Sequence, residues 1–86
     1  MKENKNDLNQ KILLDLLKDL RLKKGLMQND VAAKLNLPQS FVSKYECGDR
    51  RLDIFELRMV CEALGIKLLT FISKLEEKLN KNNESQ

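Results

Sequence analysis

Polar side chains with complementary hydrogen-bonding groups recur at helical spacing between positions 39 and 44. They are one amide, two hydroxyls and one ammonium group, on Gln39, Ser40, Ser43 and Lys44. At about 3.6 residues per turn these groups share one face of a helix, whereas Val42 and Tyr45 lie on the other. A short helix of this kind, braced by a preceding helix, is typical of side chains that read base edges in the major groove of DNA.

The side chains in and after this segment suit different contacts to double-stranded DNA. The amide of Gln39 can donate to adenine N7 and accept from adenine N6 together, whereas Lys44 can reach guanine O6 or N7, or a phosphate. The ring of Phe41 either touches a thymine methyl group or packs inside the protein. Arg50 and Arg51, in the loop that follows, would bond phosphate oxygens and set register rather than sequence.

Apolar periodicity predicts the long helix that supports this segment. From Leu8 to Lys24, apolar residues recur at steps of three and four, and Gly25 ends the helix. The predicted stripe consists of Ile12, Leu13, Leu16, Leu17 and Leu20. Leu14 and Leu22 fall outside it, so their apolar surface either contacts a partner or has no role.

Two short helices are predicted next, at about 28–35 and 39–47. The first turns three apolar residues inward, Val31, Ala32 and Leu35. Asn36 tolerates the left-handed conformation that a sharp turn between the two helices requires. Gly48 ends the second, which is the helix that carries the candidate base-reading groups.

Two further helices complete the predicted domain. Asp53 and Glu56 have the spacing of a capping box at the start of a fourth helix, which Gly65 closes. A fifth helix is predicted from Leu68 to Leu79, with apolar residues along one face. The first half of that face belongs to the core, whereas Ile72, Leu75 and Leu79 are predicted to form a dimer contact.

Composition favours an all-α, compact five-helix fold. Of the 86 residues, 42% are apolar but only 5% aromatic, so the core must be built from small and medium aliphatic side chains. Glycine and proline are too few for a series of hairpins. We expect residues 1–7 to form a disordered arm, residues 8–79 the domain, and residues 80–86 a disordered tail.

The net charge of +3 is unevenly distributed along the chain. Residues 1–52 contain 11 basic and 7 acidic side chains, a net +4, whereas residues 53–86 contain 5 and 6, a net −1. The positive charge therefore accompanies the candidate base-reading helix, as contact with phosphates requires. The excess is too small to indicate nucleic acid by itself.

Cysteine usage and hydropathy predict the compartment. No segment has the apolar length of a membrane span, and the N-terminus lacks an apolar signal segment. Cys47 and Cys61 do not have metal-binding spacing, and the chain contains no histidine. We therefore expect a cytoplasmic protein with reduced thiols and with neither metal nor cofactor.

Three segments in order resemble the Cro/repressor, or Xre-type, helix-turn-helix family of phage and bacterial transcriptional regulators. They are LRLKKGLMQNDVAAKL, NLPQSFVSKYECGDR and LRMVCEALGIKL, and the resemblance runs from about Leu13 to Phe71. This chain departs from the family pattern at some helix caps. Met27, for example, stands at the start of the second helix, where serine or threonine is usual. Cys47 replaces a residue that is often polar and contacts phosphate.

The resemblance implies a role for several residues. Gln28 matches a family position that contacts a phosphate and braces the first reading glutamine, which Gln39 matches. Ser40 is the next exposed position of the recognition helix, and Ser43 and Lys44 also face the groove. A partly buried ion pair joining the first and third helices is implied for Arg21 and Glu46.

These features predict a sequence-specific regulator of transcription, acting as a repressor, that binds an inverted repeat in double-stranded DNA as a homodimer. One recognition helix covers only a few base pairs, so two are needed for an operator. The alternative is an antitoxin-like interaction protein whose C-terminal helix binds a small partner protein. An enzyme is disfavoured, since neither a nucleophile–base pair nor a glycine-rich phosphate loop is recognisable.

Overall fold

The computed structural model describes residues 5–84, with side chains for residues 7–81, and this part of the chain is entirely helical apart from its connections. Its five helices are α1 (Lys5–Lys23), α2 (Gln28–Leu35), α3 (Gln39–Cys47), α4 (Ile54–Ala63) and α5 (Leu68–Glu84). The all-α, five-helix prediction is confirmed. None of these helices is long and apolar enough to cross a membrane.

The outer helices are longer than the sequence predicted. Helix α1 begins at Lys5 rather than Leu8, and α5 continues to Glu84 rather than stopping at Leu79. The prediction of disorder is therefore wrong for residues 5–7 and 80–84, because no glycine or proline interrupts either end and Asp7 favours the positive end of α1. Residues 1–4, 85 and 86, also predicted to be disordered, lie outside the described residues.

The core lies where α1 packs against α3 and α5, and where α4 packs against α2 and α5. Its most deeply buried side chains are Leu17, Val31, Val42, Tyr45, Val60, Cys61, Leu64 and Phe71. Leu14 was predicted to lie outside the stripe, but it is 5% exposed and belongs to this core. Helix α1 touches two neighbours on different sides, so it needs a wider apolar arc than a single stripe. Leu22 is exposed.

Helix ends fix the position of α3. Asn36 and Gly48 adopt left-handed backbone with φ of 60° and 92°, which produces the sharp turns before and after this helix. At α2, the backbone N–H of Met27 donates to the carboxylate of Asp30 at 2.7 Å, although Met27 offers no side-chain cap of its own. The α2–α3 pair is therefore joined by a turn as tight as the sequence predicted.

The predicted capping box at α4 is confirmed. The backbone N–H of Glu56 donates to the Asp53 carboxylate at 2.8 Å, and the backbone N–H of Asp53 donates to the Glu56 carboxylate at 3.0 Å. Two N–H groups without helical partners are thereby satisfied. This cap fixes the start of α4 immediately after the loop that carries the two candidate phosphate-binding arginines.

Candidate nucleic-acid interface

One face of α3 is turned outward and carries the predicted base-reading groups. Gln39, Ser40 and Lys44 are exposed, and Ser43 is half-buried on the same face. Val42 and Tyr45 are buried on the opposite face, where they hold the helix in the core. The face therefore presents an amide, two hydroxyls and an ammonium group from a short, firmly packed helix, as base reading requires.

A chain of hydrogen bonds connects this outward face to the interior. The Nε2 atom of Gln39 donates to Oε1 of Gln28 at 3.0 Å, and Nε2 of Gln28 donates to Oε1 of Glu46 at 3.0 Å. A carboxylate only accepts, so Glu46 fixes which end of the Gln28 amide points inward, and Gln28 in turn orients Gln39. The Oε1 atom and the second N–H of Gln39 remain available on the outward side.

The inner end of this chain is the predicted ion pair between α1 and α3. The Nε and Nη2 atoms of Arg21 donate to the two oxygens of Glu46 at 2.7 and 3.0 Å, and Nη1 donates to the carbonyl of Leu26 at 2.8 Å. The Arg21 and Glu46 side chains are only 9% and 4% exposed. The hydrogen bond to Glu46 is the main cause that raises the pKa of Arg21, so the guanidinium of Arg21 remains charged.

Phe41 is half-buried against two neighbours. Its ring meets that of Tyr45 edge to face, with centroids 5.8 Å apart, and the guanidinium of Arg50 stacks over it at 4.9 Å from the centroid. Burial raises the pKa of the Tyr45 hydroxyl, so that ring remains neutral. The ring of Phe41 thus packs inside the protein in part, and its contact with a thymine methyl group stays a prediction.

Both loop arginines are exposed but each has an acidic neighbour. Arg50 forms an ion pair with Glu56, the residue that also caps α4. Arg51 lies near the start of α1, with its Nη2 atom 3.8 Å from the Asp7 carboxylate. Exposed ion pairs are worth little, so either guanidinium can exchange its carboxylate for a phosphate. Both arginines therefore lie beside α3, where a phosphate oxygen can replace the carboxylate that each contacts.

Sequence reasoning missed the roles of two residues of this surface, Glu56 and Asp7. Glu56 was assigned only to the cap, and nothing in its spacing indicates its contact with Arg50. Asp7 lies far from Arg51 along the chain, so only the packing of α1 reveals their proximity. Cys47 is exposed at the end of α3, where its Sγ atom lies 3.5 Å from the carbonyl of Lys44; its place on the outward face follows from helical spacing.

The remaining predicted residues are distributed elsewhere. Ile72 and Leu75 are half-buried against the core, and Leu79 is half-buried further along α5. Their role in dimer contact stays a prediction. Among residues 7–81, histidine is absent and no group of three cysteine or acidic side chains is close enough together to hold a metal ion.

Comparison of sequences identifies a matching family. The family model described as helix-turn-helix matches residues 17–71, which extend from the middle of α1 to the first turn of α5. The match includes every residue of the outward face of α3 and both loop arginines. Among curated proteins, none matches the chain in sequence.

Solved structures similar to this one include an XRE-family like protein and a restriction-modification controller protein. The XRE-family like protein from Pseudomonas syringae pv. tomato str. DC3000 is 41% identical, with 85% of this chain and 89% of that chain covered and a TM-score of 0.80. The wild-type restriction-modification controller protein C.Esp1396I is 29% identical, with 85% and 95% covered and a TM-score of 0.78. As a tetramer in complex with its natural 35 base-pair operator, the same controller superimposes with a TM-score of 0.75 at 29% identity, with 80% and 91% covered.

Proposed function

Because this chain belongs to the Xre-type helix-turn-helix family of DNA-binding transcriptional regulators, we propose that it is a repressor that binds an inverted-repeat operator as a homodimer. The observation that carries the proposal is the hydrogen-bonded chain from the buried Arg21–Glu46 pair through Gln28 to Gln39. A glutamine amide held in one orientation on an outward helix face is already oriented, in the free protein, to form hydrogen bonds with a base.

Base readout is assigned to the outward face of α3. Gln39 accepts from adenine N6 through Oε1 and donates to adenine N7 through its second N–H, since its first N–H is engaged by Gln28. Ser40 and Ser43 donate to or accept from neighbouring base edges. Lys44, one turn beyond Ser40 on an exposed position, reaches guanine O6 or N7, or a phosphate.

Phosphate contacts are assigned to the edges of this face. Arg50 and Arg51 bind phosphate oxygens, and Gln28 uses its remaining amide N–H for a phosphate of the same strand. These contacts supply most of the affinity and its dependence on salt, but they do not select the sequence. Repression follows when the bound protein occupies DNA that RNA polymerase requires, which places its action in the cytoplasm.

Two copies are needed because a single α3 helix spans only a few base pairs. Recognition helices related by a two-fold axis read half-sites about 34 Å apart, which is roughly one turn of DNA. Support comes from the controller protein C.Esp1396I, which assembles as a tetramer on its operator. We infer that the protein acts as a dimer on one inverted repeat, and that occupancy of the repeat is the regulatory event.

The proposal is tested by selecting binding sites from a randomised duplex library with the full chain at near-physiological salt. Enrichment of an inverted repeat with half-sites about one turn apart is expected. Retention of duplexes without any shared sequence would contradict specific regulation and favour a role in binding another protein.

A further inference from the structure

An open groove runs between α1 and α5. Its first part is a cavity of about 510 Å³, lined by Ile12, Asp15, Leu16, Asp19, Lys78 and Lys81. A second cavity of about 200 Å³ shares four of these residues and continues along the two helices to Leu20 and Lys74. The cavities are therefore continuous, and we name them together the α1–α5 groove.

The α1–α5 groove lies on the opposite side of α1 from α3. Arg21 points to α3, where it bonds Glu46, and successive residues of a helix are turned by about 100°. Ile12 and Asp19 are therefore turned by about 180° and about 160° from Arg21. A molecule in the groove leaves the outward face of α3 uncovered, so it can bind together with DNA.

The two walls of the groove carry opposite charges. The α1 wall has two carboxylates one turn apart, those of Asp15 and Asp19. The α5 wall has three ammonium groups at steps of four and three residues, those of Lys74, Lys78 and Lys81. One charge of the opposite sign is present on each wall, Lys23 and Glu77, so the α1 wall carries a net −1 and the α5 wall a net +2.

The charges of the two walls are not paired across the groove. Asp15 and Asp19 each contact an exposed lysine of α1 itself, at 3.3 and 3.2 Å. Among residues 7–81, no acidic side chain forms an ion pair with any of the three α5 lysines. Exposed pairs within one helix are weak, so both walls keep charges that a bound molecule can pair.

The floor of the groove is apolar and extends beyond the core. Leu16 is 4% exposed at its bottom, and Ile12 and Leu20 are half-buried one turn to either side. The same row of α1 continues at a step of four to Leu8, which is 43% exposed. This row leaves apolar surface open to solvent between two charged walls.

The shape of the groove fits a helix. Ile12 lies across from Lys81, whereas Leu20 lies near Lys74, so α1 and α5 run antiparallel. The α1 row from Leu8 to Leu20 is about 18 Å long, which equals about three turns of helix. Two antiparallel helices with an apolar seam and open space above it accommodate a third helix, as in a helix bundle.

We propose that the α1–α5 groove binds an amphipathic α-helix of another protein, whose apolar stripe has basic side chains along one edge and acidic side chains along the other. The basic edge pairs with Asp15 and Asp19, and the acidic edge pairs with the α5 lysines. Charges that flank an apolar seam fix both partner and orientation in coiled coils. A helix laid in the reverse direction would place each edge against like charge, so the walls also set the direction of the bound helix. The groove thereby gives the DNA-bound protein a second partner.

Three synthetic peptides of equal length provide the first test. Each has about 14 residues, one leucine stripe, and a hydrocarbon staple on its polar back that keeps it helical. The split peptide has lysines along one edge of the stripe and glutamates along the other, whereas the control peptides have lysines, or glutamates, along both edges. Calorimetric titration of the full chain is expected to show that the split peptide binds about tenfold more tightly than either control.

Reversing one charge of the α1 wall tests where the split peptide binds. Asp19→Lys makes this wall basic, so the split peptide is expected to bind about fivefold more weakly and the all-glutamate peptide about fivefold more tightly. Glu76→Lys is the matched control, because it makes the same change in net charge at an exposed position of α5 that does not line the groove. It is expected to leave the split peptide as the tightest binder. Loss of fold does not explain a gain in affinity for one peptide.

The outcomes are distinguishable from a failure of the proposed function. A split peptide that binds no more tightly than the controls, or binding weaker than about 1 mM for all three peptides, would overturn the partner helix. So would self-association of the chain that Asp19→Lys abolishes and Glu76→Lys preserves, since a second copy would then occupy the groove. Operator affinity is expected to be equal in the two variants, because the groove faces away from α3, and site selection tests the proposed repressor separately.

Discussion

The Nε2 atom of Gln39 donates to Oε1 of Gln28 at 3.0 Å, and this single bond joins the outward face of α3 to the buried ion pair beneath it. Gln28 donates to Glu46, which Arg21 holds from α1. The orientation of the base-reading amide is therefore set by a charge in the interior. Such preorganisation reduces the ordering that binding must otherwise impose on a flexible glutamine.

Replacing Gln28 by alanine should reduce operator affinity about tenfold, because Gln39 loses its orienting acceptor and one phosphate contact is removed. The loss should fall mainly on the operator, so affinity for unrelated duplex should change less. Fluorescence anisotropy with the selected operator and a scrambled duplex measures both. Asn29→Ala, at the exposed neighbouring position of α2, should leave both affinities unchanged. Equal losses on both duplexes would contradict the orienting role.

Gln39 and Arg51 should differ in the kind of binding that they supply. Gln39→Ala is expected to change the preferred base at one position of each half-site, at a cost of about 1–3 kcal/mol on the wild-type operator. Arg51→Ala should weaken all sequences alike and reduce the slope of log affinity against log salt by about 1 for each copy bound. Site selection and salt titration test these changes. A Gln39→Ala protein that selects the wild-type site would defeat the assignment.

Glu56 should restrain Arg50 in the free protein. Glu56→Gln keeps an oxygen for the backbone of Asp53 but removes the charge that holds Arg50, so affinity for any duplex should rise about three- to tenfold. In an Arg50→Ala background the same change should raise affinity less than about twofold. Asp49→Asn, which removes an exposed charge in the same loop, should have equal effects in both backgrounds. Additive effects of Glu56→Gln and Arg50→Ala on affinity would show that Arg50 does not exchange the Glu56 carboxylate for a DNA phosphate.

The ion pair beneath α3 should be a large contributor to stability. Arg21→Ala leaves the buried carboxylate of Glu46 without its cation, and we expect the free energy of unfolding to fall by about 3–5 kcal/mol. Lys23→Ala is the control, since its contact with Asp19 is exposed and should be worth less than about 1 kcal/mol. Denaturant unfolding at neutral pH measures both. A loss near 1 kcal/mol for Arg21→Ala would show that the pair is not the anchor of α3.

Stability should decrease in alkaline solution because of Cys61. Burial raises the pKa of this thiol to about 11 from an ordinary value of 9.0. The unfolded state therefore loses the proton first, so the free energy of unfolding is constant below about pH 8 and falls by about 2 kcal/mol as the pH approaches 11. Tyr45, whose pKa is also raised by burial, adds to the decline at higher pH.

Cysteine variants test this origin of the alkaline decline. Cys61→Ala should be less stable at pH 7 because it leaves a small cavity, but its stability should depend less on pH between 9 and 11. Cys47→Ala should keep the wild-type pH dependence, since Cys47 is exposed. An unaltered slope in Cys61→Ala would assign the decline to other groups.

Local signals were sufficient to predict α2, α3 and the cap of α4. Asn36, Gly48 and the Asp53–Glu56 spacing act within a few residues, so their effect does not depend on distant packing. The stripe of α1 was incomplete because α1 contacts both α3 and α5, and Leu14 lies on the side near the end of α3, beside Gly48. Apolar spacing alone does not reveal a second neighbour.

The candidate site also combines features that local sequence predicts with features that depend on distant packing. The outward residues of α3 follow from helical spacing, and the Arg21–Glu46 pair was implied by family resemblance. The contacts Arg50–Glu56 and Arg51–Asp7 depend on the path of a loop and on where α1 begins, which no local pattern encodes.

The most direct measurement is the ratio of affinities of the full chain for its selected operator and for a scrambled duplex of equal length and composition. It should be taken at near-physiological salt, where phosphate contacts alone give only weak binding. If α3 reads the base sequence, we expect a ratio of about 10³ or more, and a ratio about 5- to 150-fold lower in Gln39→Ala. A ratio near one in the wild type would contradict the account, since the protein would then bind DNA only through its charge.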